Sequence, residues 1–235
     1  MKHTYKSKLL LLILPVIVIL SGCVDTSGPV IPSSINYSSQ MKIVNLVIGS
    51  GSTNFVLNGT TFGSANFGEE TPAGDFATVN SGSKTLVANF SGGSSKTFQF
   101  AAPTEYKFRV FLVGTLTSNE SYLVTQRYIW QTKNSAEGDP LFPANKGQLV
   151  IFNGSPDATI DAVILNSDTV SFNTPLSLGK STSYLQFPAG SKNIKVIYNG
   201  NQELTFTYDL GSRNRYTLVV YDQAANLKYK VYLDD

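Results

Sequence analysis

Asp157 and Asp161 stand four residues apart around the turn Ser155-Pro156-Asp157, and carboxylates so placed can share a hard cation such as calcium. Calcium wants about six oxygens or more, and only these two carboxylates are local. The stronger reading is therefore a built turn, in which proline fixes φ and Ser or Asp accepts hydrogen bonds from nearby backbone N–H groups. A second acidic group, Glu69-Glu70 with Asp75, has the residue type that glycoside cleavage sets across a cleft. Trp130, beside Tyr128, is a candidate sugar-stacking residue, although packing at a junction is the stronger expectation for it. The chain has one cysteine, Cys23, and one histidine, His3.

Cys23 closes the string Leu20-Ser21-Gly22-Cys23, after Lys2, Lys6 and Lys8 and an unbroken apolar run from Leu9 to Leu20. That run is well short of the ~20 residues a spanning helix needs. A charged start, a short apolar middle and small residues at the cut make a removed secretory signal. The layout resembles a bacterial lipoprotein signal, which implies that Cys23 is lipidated and becomes the first mature residue. The expected address is the cell envelope, anchored by lipid, with the outer membrane favoured.

Cleavage there would change the chemistry available to the chain. Three lysines leave and no acid does, so 18 basic against 16 acidic residues become 15 against 16. A nearly neutral mature chain gives no case for nucleic-acid binding, which wants clustered excess positive charge. His3 leaves too, which removes Ser-His-Asp catalysis, and with Cys23 occupied there is no thiol for cysteine catalysis or a Cys/His zinc site. The Gly-Ser stretches at Gly49–Gly51 and Gly92-Gly93 lack the Lys-Ser/Thr ending and following helix of a phosphate loop. No cofactor is expected.

These residues need elements to hold them. Charged residues are sparse, and Gly, Ser, Thr, Asn, Tyr and Phe are plentiful, a composition that fits pleated strands and tight turns. Residues 24–40 carry Ser, Gly and two prolines without periodicity and are expected to be a tether. Pulled straight it would reach ~55 Å, and as a flexible chain ~20–25 Å.

Sliding the chain on itself by 108 residues brings up a repeat. Asn45 falls on Asn153, Leu57-Asn58 on Leu165-Asn166, and Thr61 on Thr169. Gly82-Ser83-Lys84 falls on Gly190-Ser191-Lys192, Gly92 on Gly200, Thr97-Phe98 on Thr205-Phe206, and Phe76 on Tyr184. Beyond a two-residue insertion near Gly211-Ser212 the shift becomes 110, pairing Tyr106 with Tyr216 and Val110 with Val220. The expectation is two homologous domains, 41–131 and 147–235, joined by a linker over 132–146. Glu69, Glu70 and Asp75 have no acidic counterparts, the matching positions being Ser177, Leu178 and Ser183, so a solvated loop is expected there.

Within each copy apolar residues alternate with period two. Tyr106, Phe108, Val110 and Leu112 share one strand face, with Lys107 and Arg109 on the other. Tyr216, Leu218 and Val220 repeat this, and Tyr229, Val231 and Leu233 share a face at the end. Asn58-Gly59 and Asn199-Gly200 are tight-turn dipeptides. Tyr106 and Tyr216 open late strands, where sandwich domains often hold a tyrosine whose hydroxyl bonds back to the chain. The fold class expected is all-β, two tandem antiparallel β-sandwiches.

The second copy opens Val150-Ile-Phe-Asn-Gly-Ser-Pro-Asp-Ala-Thr-Ile-Asp-Ala-Val, then carries Tyr184-Leu-Gln-Phe-Pro-Ala-Gly-Ser-Lys and Tyr216-Thr-Leu-Val-Val. Three motifs in this order resemble a family of bacterial surface domains of unknown function, number 4397. Its members show an Asn-Ala-Ser-Pro-Asp-like opening, a Tyr-x-x-x-Pro-Ala-Gly centre and a late Tyr-Thr strand. The first copy departs from this: Leu46-Val47-Ile48-Gly49 stands where the second has Gly154-Ser155-Pro156-Asp157. The resemblance implies an immunoglobulin-like sandwich, often in tandem, on exported proteins, and it implies no activity.

The function expected is a lipid-anchored, non-enzymatic binding or adhesion module for a glycan, polymer or protein partner. A structural spacer or accessory subunit of an envelope assembly is the alternative, and a carboxylate-based hydrolase is weaker than either.

Overall fold

The computed structural model describes residues 37–116, 122–129 and 144–234. The first half runs through β1 (Ser38–Ile48), β2 (Ser52–Leu57), β3 (Thr60–Asn66), β4 (Glu70–Thr71), β5 (Ala77–Asn80), β6 (Gly82–Phe90), β7 (Ser95–Ala102), β8 (Tyr106–Thr115) and β9 (Tyr122–Ile129). The second half continues with β10 (Lys146–Asn153), β11 (Ile160–Leu165), β12 (Asp168–Leu176), β13 (Leu185–Pro188), β14 (Gly190–Tyr198), β15 (Gln202–Leu210) and β16 (Arg215–Tyr221). A 3-10 turn, Ala224–Asn226, leads into β17 (Lys228–Leu233). Among the described residues there is no α-helix, and the fold is all-β.

Four sheets result. The first half has an inner sheet ordered β4-β1-β8-β9, with β5 also on β1, and an outer sheet ordered β3-β2-β6-β7. The second half has an inner sheet β13-β10-β16-β17 and an outer sheet β12-β11-β14-β15. Apart from β4, which has no counterpart strand, the order is the same in both halves, with β5 on β1 as β13 is on β10. Each inner sheet packs on its own outer sheet through a separate core. One is built on Met41, Ile43, Phe55, Leu86, Phe108 and Val110, and the other on Leu149, Ile151, Val163, Ile194, Leu218 and Val220.

The sandwiches are not wholly antiparallel. β1 runs parallel to β8 from Gln40↔Lys107 to Ile48↔Thr115, and β10 runs parallel to β16. Period-two alternation is the same for either direction, so sequence patterning does not separate them. The parallel strands are buried on both faces, and they read as nearly continuous apolar runs, such as Ile43-Val-Asn-Leu-Val-Ile48 and Phe108-Arg-Val-Phe-Leu-Val113. β1 also begins inside the stretch expected to be tether. Ser38 to Met41 pair with β5, and the buried Ser39 hydroxyl donates to the carbonyl of Pro103.

Buried asparagines repeat with the strands. Asn45 and Asn153 are both fully buried, and each side-chain oxygen accepts the N–H two residues on, from Val47 (3.3 Å) and Ser155 (2.9 Å). Asn58 and Asn166, both with positive φ, open the β2–β3 and β11–β12 hairpins. Their side-chain oxygens accept the N–H groups of Thr85 (2.8 Å) and Asn193 (2.9 Å) on the neighbouring strand. Positive φ suits Asn better than any other non-glycine residue, so these turns select it.

The chain divides into residues 1–36, outside the described residues, and a unit from Tyr37 to Asp235. Inside that unit a third apolar cluster joins the halves. Val44, Leu46, Phe111 and Val113 of the first inner sheet meet Phe152, Val219 and Tyr232 of the second. Phe111 stacks on Phe152 with ring centres 4.4 Å apart. Fully burying each such side chain is worth about 1.5–3 kcal/mol. The layers therefore run outer, inner, inner, outer, and the strand face that carries Arg109 is covered by the other half.

Candidate functional site

The Ser-Pro-Asp loop is a hydrogen-bonded turn in the structure. The Asn153 amide donates to the carbonyls of Ala158 and Leu176, both at 2.7 Å. The Ser155 hydroxyl accepts the N–H of Ala158 (3.1 Å) and donates to the Asp157 carboxylate (3.2 Å). Asp157 also accepts the N–H of Ala224 (2.8 Å), tying the loop to the 3-10 turn before β17. Asp161 goes elsewhere. It lies where the register of β11 shifts between Ile160 and Ala162, and its carboxylate accepts the N–H of Gly200 (2.8 Å) in the β14–β15 turn. A shift of this kind re-aims one side chain. The two carboxylates hold two different turns, and among the described residues no group of three or more His, Cys, Asp or Glu is placed to hold a metal ion.

Tyr216 also bonds within its own neighbourhood. Its hydroxyl accepts the N–H of Gly211 (2.8 Å) and the Asn214 amide (3.1 Å), which fastens the loop carrying the two-residue insertion. Cys23 and Trp130 lie outside the described residues.

Glu70 corrects the expectation of a solvated loop. It is strand residue β4, opposite Val44 on β1, and only 15 % of its side chain is exposed. Its carboxylate accepts from Lys42 Nζ (2.6 Å) and from Arg109 Nε (2.9 Å). The cause is the covered face. Lys42 and Arg109 point away from the first core into the contact with the second half, and a buried cation there needs a counter-charge. Glu69, beside it, is more exposed and pairs with Lys230 of β17 (2.8 Å).

Arg109 is the centre of this network, 2 % exposed. It donates to the carboxylate of Asp234 and, through Nη2, to the carbonyl of Leu233 (3.0 Å). Asp234, fully buried, accepts further bonds from the hydroxyls of Tyr184 (2.9 Å) and Thr217 (2.8 Å). The guanidinium lies over the rings of Phe76 (5.0 Å) and Tyr232 (4.7 Å). Charge-assisted bonds of this kind are shorter and stronger than neutral ones. One first-half cation thereby fastens the last strand of the second half.

Beside this clasp lies an open cleft of about 540 Å³, walled by Lys42, Glu70 and Phe76 from the first half and by Lys230, Tyr232 and Asp234 from the second. Its charges answer one another, and Lys42 (5.2 Å), Lys107 (4.7 Å) and Arg109 all sit over the ring of Phe76. Tyr232 is 4 % exposed, and its hydroxyl has no hydrogen-bond partner among the described residues. Burial, and then the nearby Glu70 carboxylate, push its pKa well above the usual tyrosine range, while Arg109 opposes them.

The clasp escaped the sequence reading because its members lie far apart in the chain. A signal for it was nonetheless present: Lys42 and Arg109 are cations set against the long apolar runs of β1 and β8. No curated protein matches the chain. Residues 147–235, the second half with its Ser-Pro-Asp loop and Asp234, match the family described as a domain of unknown function, DUF4397.

Proposed function

We propose that the protein is a lipid-anchored envelope protein, attached through Cys23, that works as a non-enzymatic binding module for an envelope glycan, polymer or protein. On this reading the first half is a second, diverged copy of the domain that residues 147–235 represent. The observation that carries the proposal is the commitment of the acidic side chains. Asp157 and Asp161 each hold a turn, and Glu70 and Asp234 are neutralised inside the clasp. Carboxylates that work in catalysis need a poised proton or a free lone pair at a cleft. Committed ones support a scaffold whose contacts come from its surface.

The same clasp favours the spacer as the second reading, because two sandwiches fixed by a buried seam hold a constant length. Labelling with a radioactive fatty acid tests the anchor, and Cys23→Ser should abolish both label and membrane retention. Capture from envelope extracts and purified polysaccharides separates the two readings. A retained partner supports the module, and no retained partner in either leaves the spacer.

A further inference from the structure

The outer sheet of the first half is poor in charge. Its strands β2, β3, β6 and β7 contain two charged residues, Lys84 and Lys96, and neither belongs to the outward rows. Lys84 is buried and donates to the carbonyls of Ser81 and Ser83. Lys96 shares the face of the inward Phe98 and Phe100.

Register places the outward side chains in rows. One row runs Ser64, Asn54, Asn89, Ser95 across the four strands. The next runs Thr61, Val56, Val87, Thr97, and beyond it Thr85 faces Gln99. Neighbours in a row are about 4.8 Å apart, and rows are two residues, roughly 6.8 Å, apart. The side-chain amides and hydroxyls of Asn54, Ser64, Asn89, Thr97 and Gln99 make no hydrogen bond within the described residues, so their donors and acceptors face outward unused.

We infer that this face is a docking surface for a neutral, hydroxyl-rich polymer, that is, an uncharged polysaccharide chain. This rests on the binding reading proposed above and names its surface and partner class. Amides and hydroxyls both donate and accept, which matches sugar hydroxyls and gives an ionic partner no counter-charge. The two valines at the middle of the second row offer apolar contact to the C–H face of a pyranose ring. In the first row the strand spacing sets one polar side chain per strand, a repeat comparable with one sugar unit. An acidic polymer finds no cation on this face to pair with. The corresponding face of the second half lacks the pattern: Ala162 and Ile197 replace Asn54 and Asn89, and Lys195 pairs with Glu203 (3.0 Å).

The experiment is retention of the full chain, in detergent, on insoluble cellulose, chitin and cross-linked dextran, with alginate beads as the acidic comparison, at low and high salt. Retention on at least one neutral polymer, unchanged by salt and absent on alginate, is expected. Asn54→Lys and Gln99→Lys should each weaken it by about tenfold or more, the loss expected when a charge is pressed against a neutral partner. Thr207→Lys, at the position equivalent to Gln99, should leave it unchanged. Circular dichroism of each variant confirms that the fold is intact. Binding that vanishes at high salt, binding indifferent to Asn54→Lys and Gln99→Lys, or no retention on any neutral polymer would each overturn the inference. Salt-independent self-association abolished by Asn54→Lys would also overturn it, assigning the face to a second copy of the chain. Capture of an envelope partner by both wild type and Asn54→Lys would leave the binding module standing and remove only this surface. Failure of every capture would remove both.

Discussion

Leu46 and Gly154 occupy the same place in the two halves, 108 residues apart, and they touch each other across the seam. A Cβ built on Gly154 would lie 2.9 Å from Leu46 Cδ1. Equivalent positions that face one another cannot both be large, so one half supplies the side chain and the other the space. The family-like opening of the second half carries Gly154 where Asn-Ala-Ser-Pro-Asp has alanine, and the first half has Leu46-Val47-Ile48-Gly49 in place of Gly154-Ser155-Pro156-Asp157. Meanwhile the buried framework stays the same, with Asn45 and Asn153 serving the same N–H two residues on. The two separate cores keep their strand positions while their side chains change, with Phe55 and Ala88 in one where Val163 and Val196 stand in the other.

The sharpest way to break this comparison is to break the seam. Arg109→Ala leaves Asp234 buried without its cation and should cost about 3–5 kcal/mol, read as a lowered urea midpoint. One transition by both fluorescence and circular dichroism is expected. Two separate steps would mean that the halves are independent after all. Next in size, Asn45→Ala and Asn153→Ala should each cost about 1–3 kcal/mol, because each strands a buried backbone N–H. Thermal melts in which only one of them destabilises would show that the shared framework is not doing the same job twice.

Gly154→Ala should cost about 1 kcal/mol through overpacking against Leu46. Adding Leu46→Val should recover part of that loss, and a double-mutant cycle measures the coupling. Tyr232→Phe removes an unpartnered hydroxyl and should leave stability at neutral pH unchanged or slightly higher. Its effect lies in alkali. A tyrosine whose pKa is raised by folding contributes stability that is fully present below its unfolded pKa, about 10, and lost as pH climbs above it. The wild type should therefore lose more stability than Tyr232→Phe between neutral pH and pH above about 10. Equal slopes would say that the hydroxyl is not buried as described. Smallest of all, Gln99→Lys and Thr207→Lys should shift stability by no more than about 0.5 kcal/mol, since both sit on exposed outer rows.

Much of this architecture was legible in the residues. The 108-residue register aligns β2 with β11 and β6 with β14, and the period-two rows name the core side chains of β8 and β16. Asn58-Gly59 marks its turn because only a few residues accept positive φ. What alternation does not tell is whether the second face of a strand is covered. Arg109, Phe111 and Val113 share the face opposite the first core, and a charged first member suggests solvent. Burial of that face depends on the other half, whose contacts lie far off in sequence, 125 residues in the case of Asp234. Glu70's burial is hidden for the same reason, since its two cations stand 28 and 39 residues away. Asp157 and Asp161 accept N–H groups from the 3-10 turn and the β14–β15 turn, partners that the local sequence around Ser-Pro-Asp does not name.

The four-layer order also fixes valency. With sheets packed about 10 Å apart, the two outer faces lie roughly 30 Å apart and look in opposite directions. A single flat polymer surface can therefore engage one of them at a time. With docking assigned to the first half's face alone, avidity toward such a surface has to come from many molecules side by side.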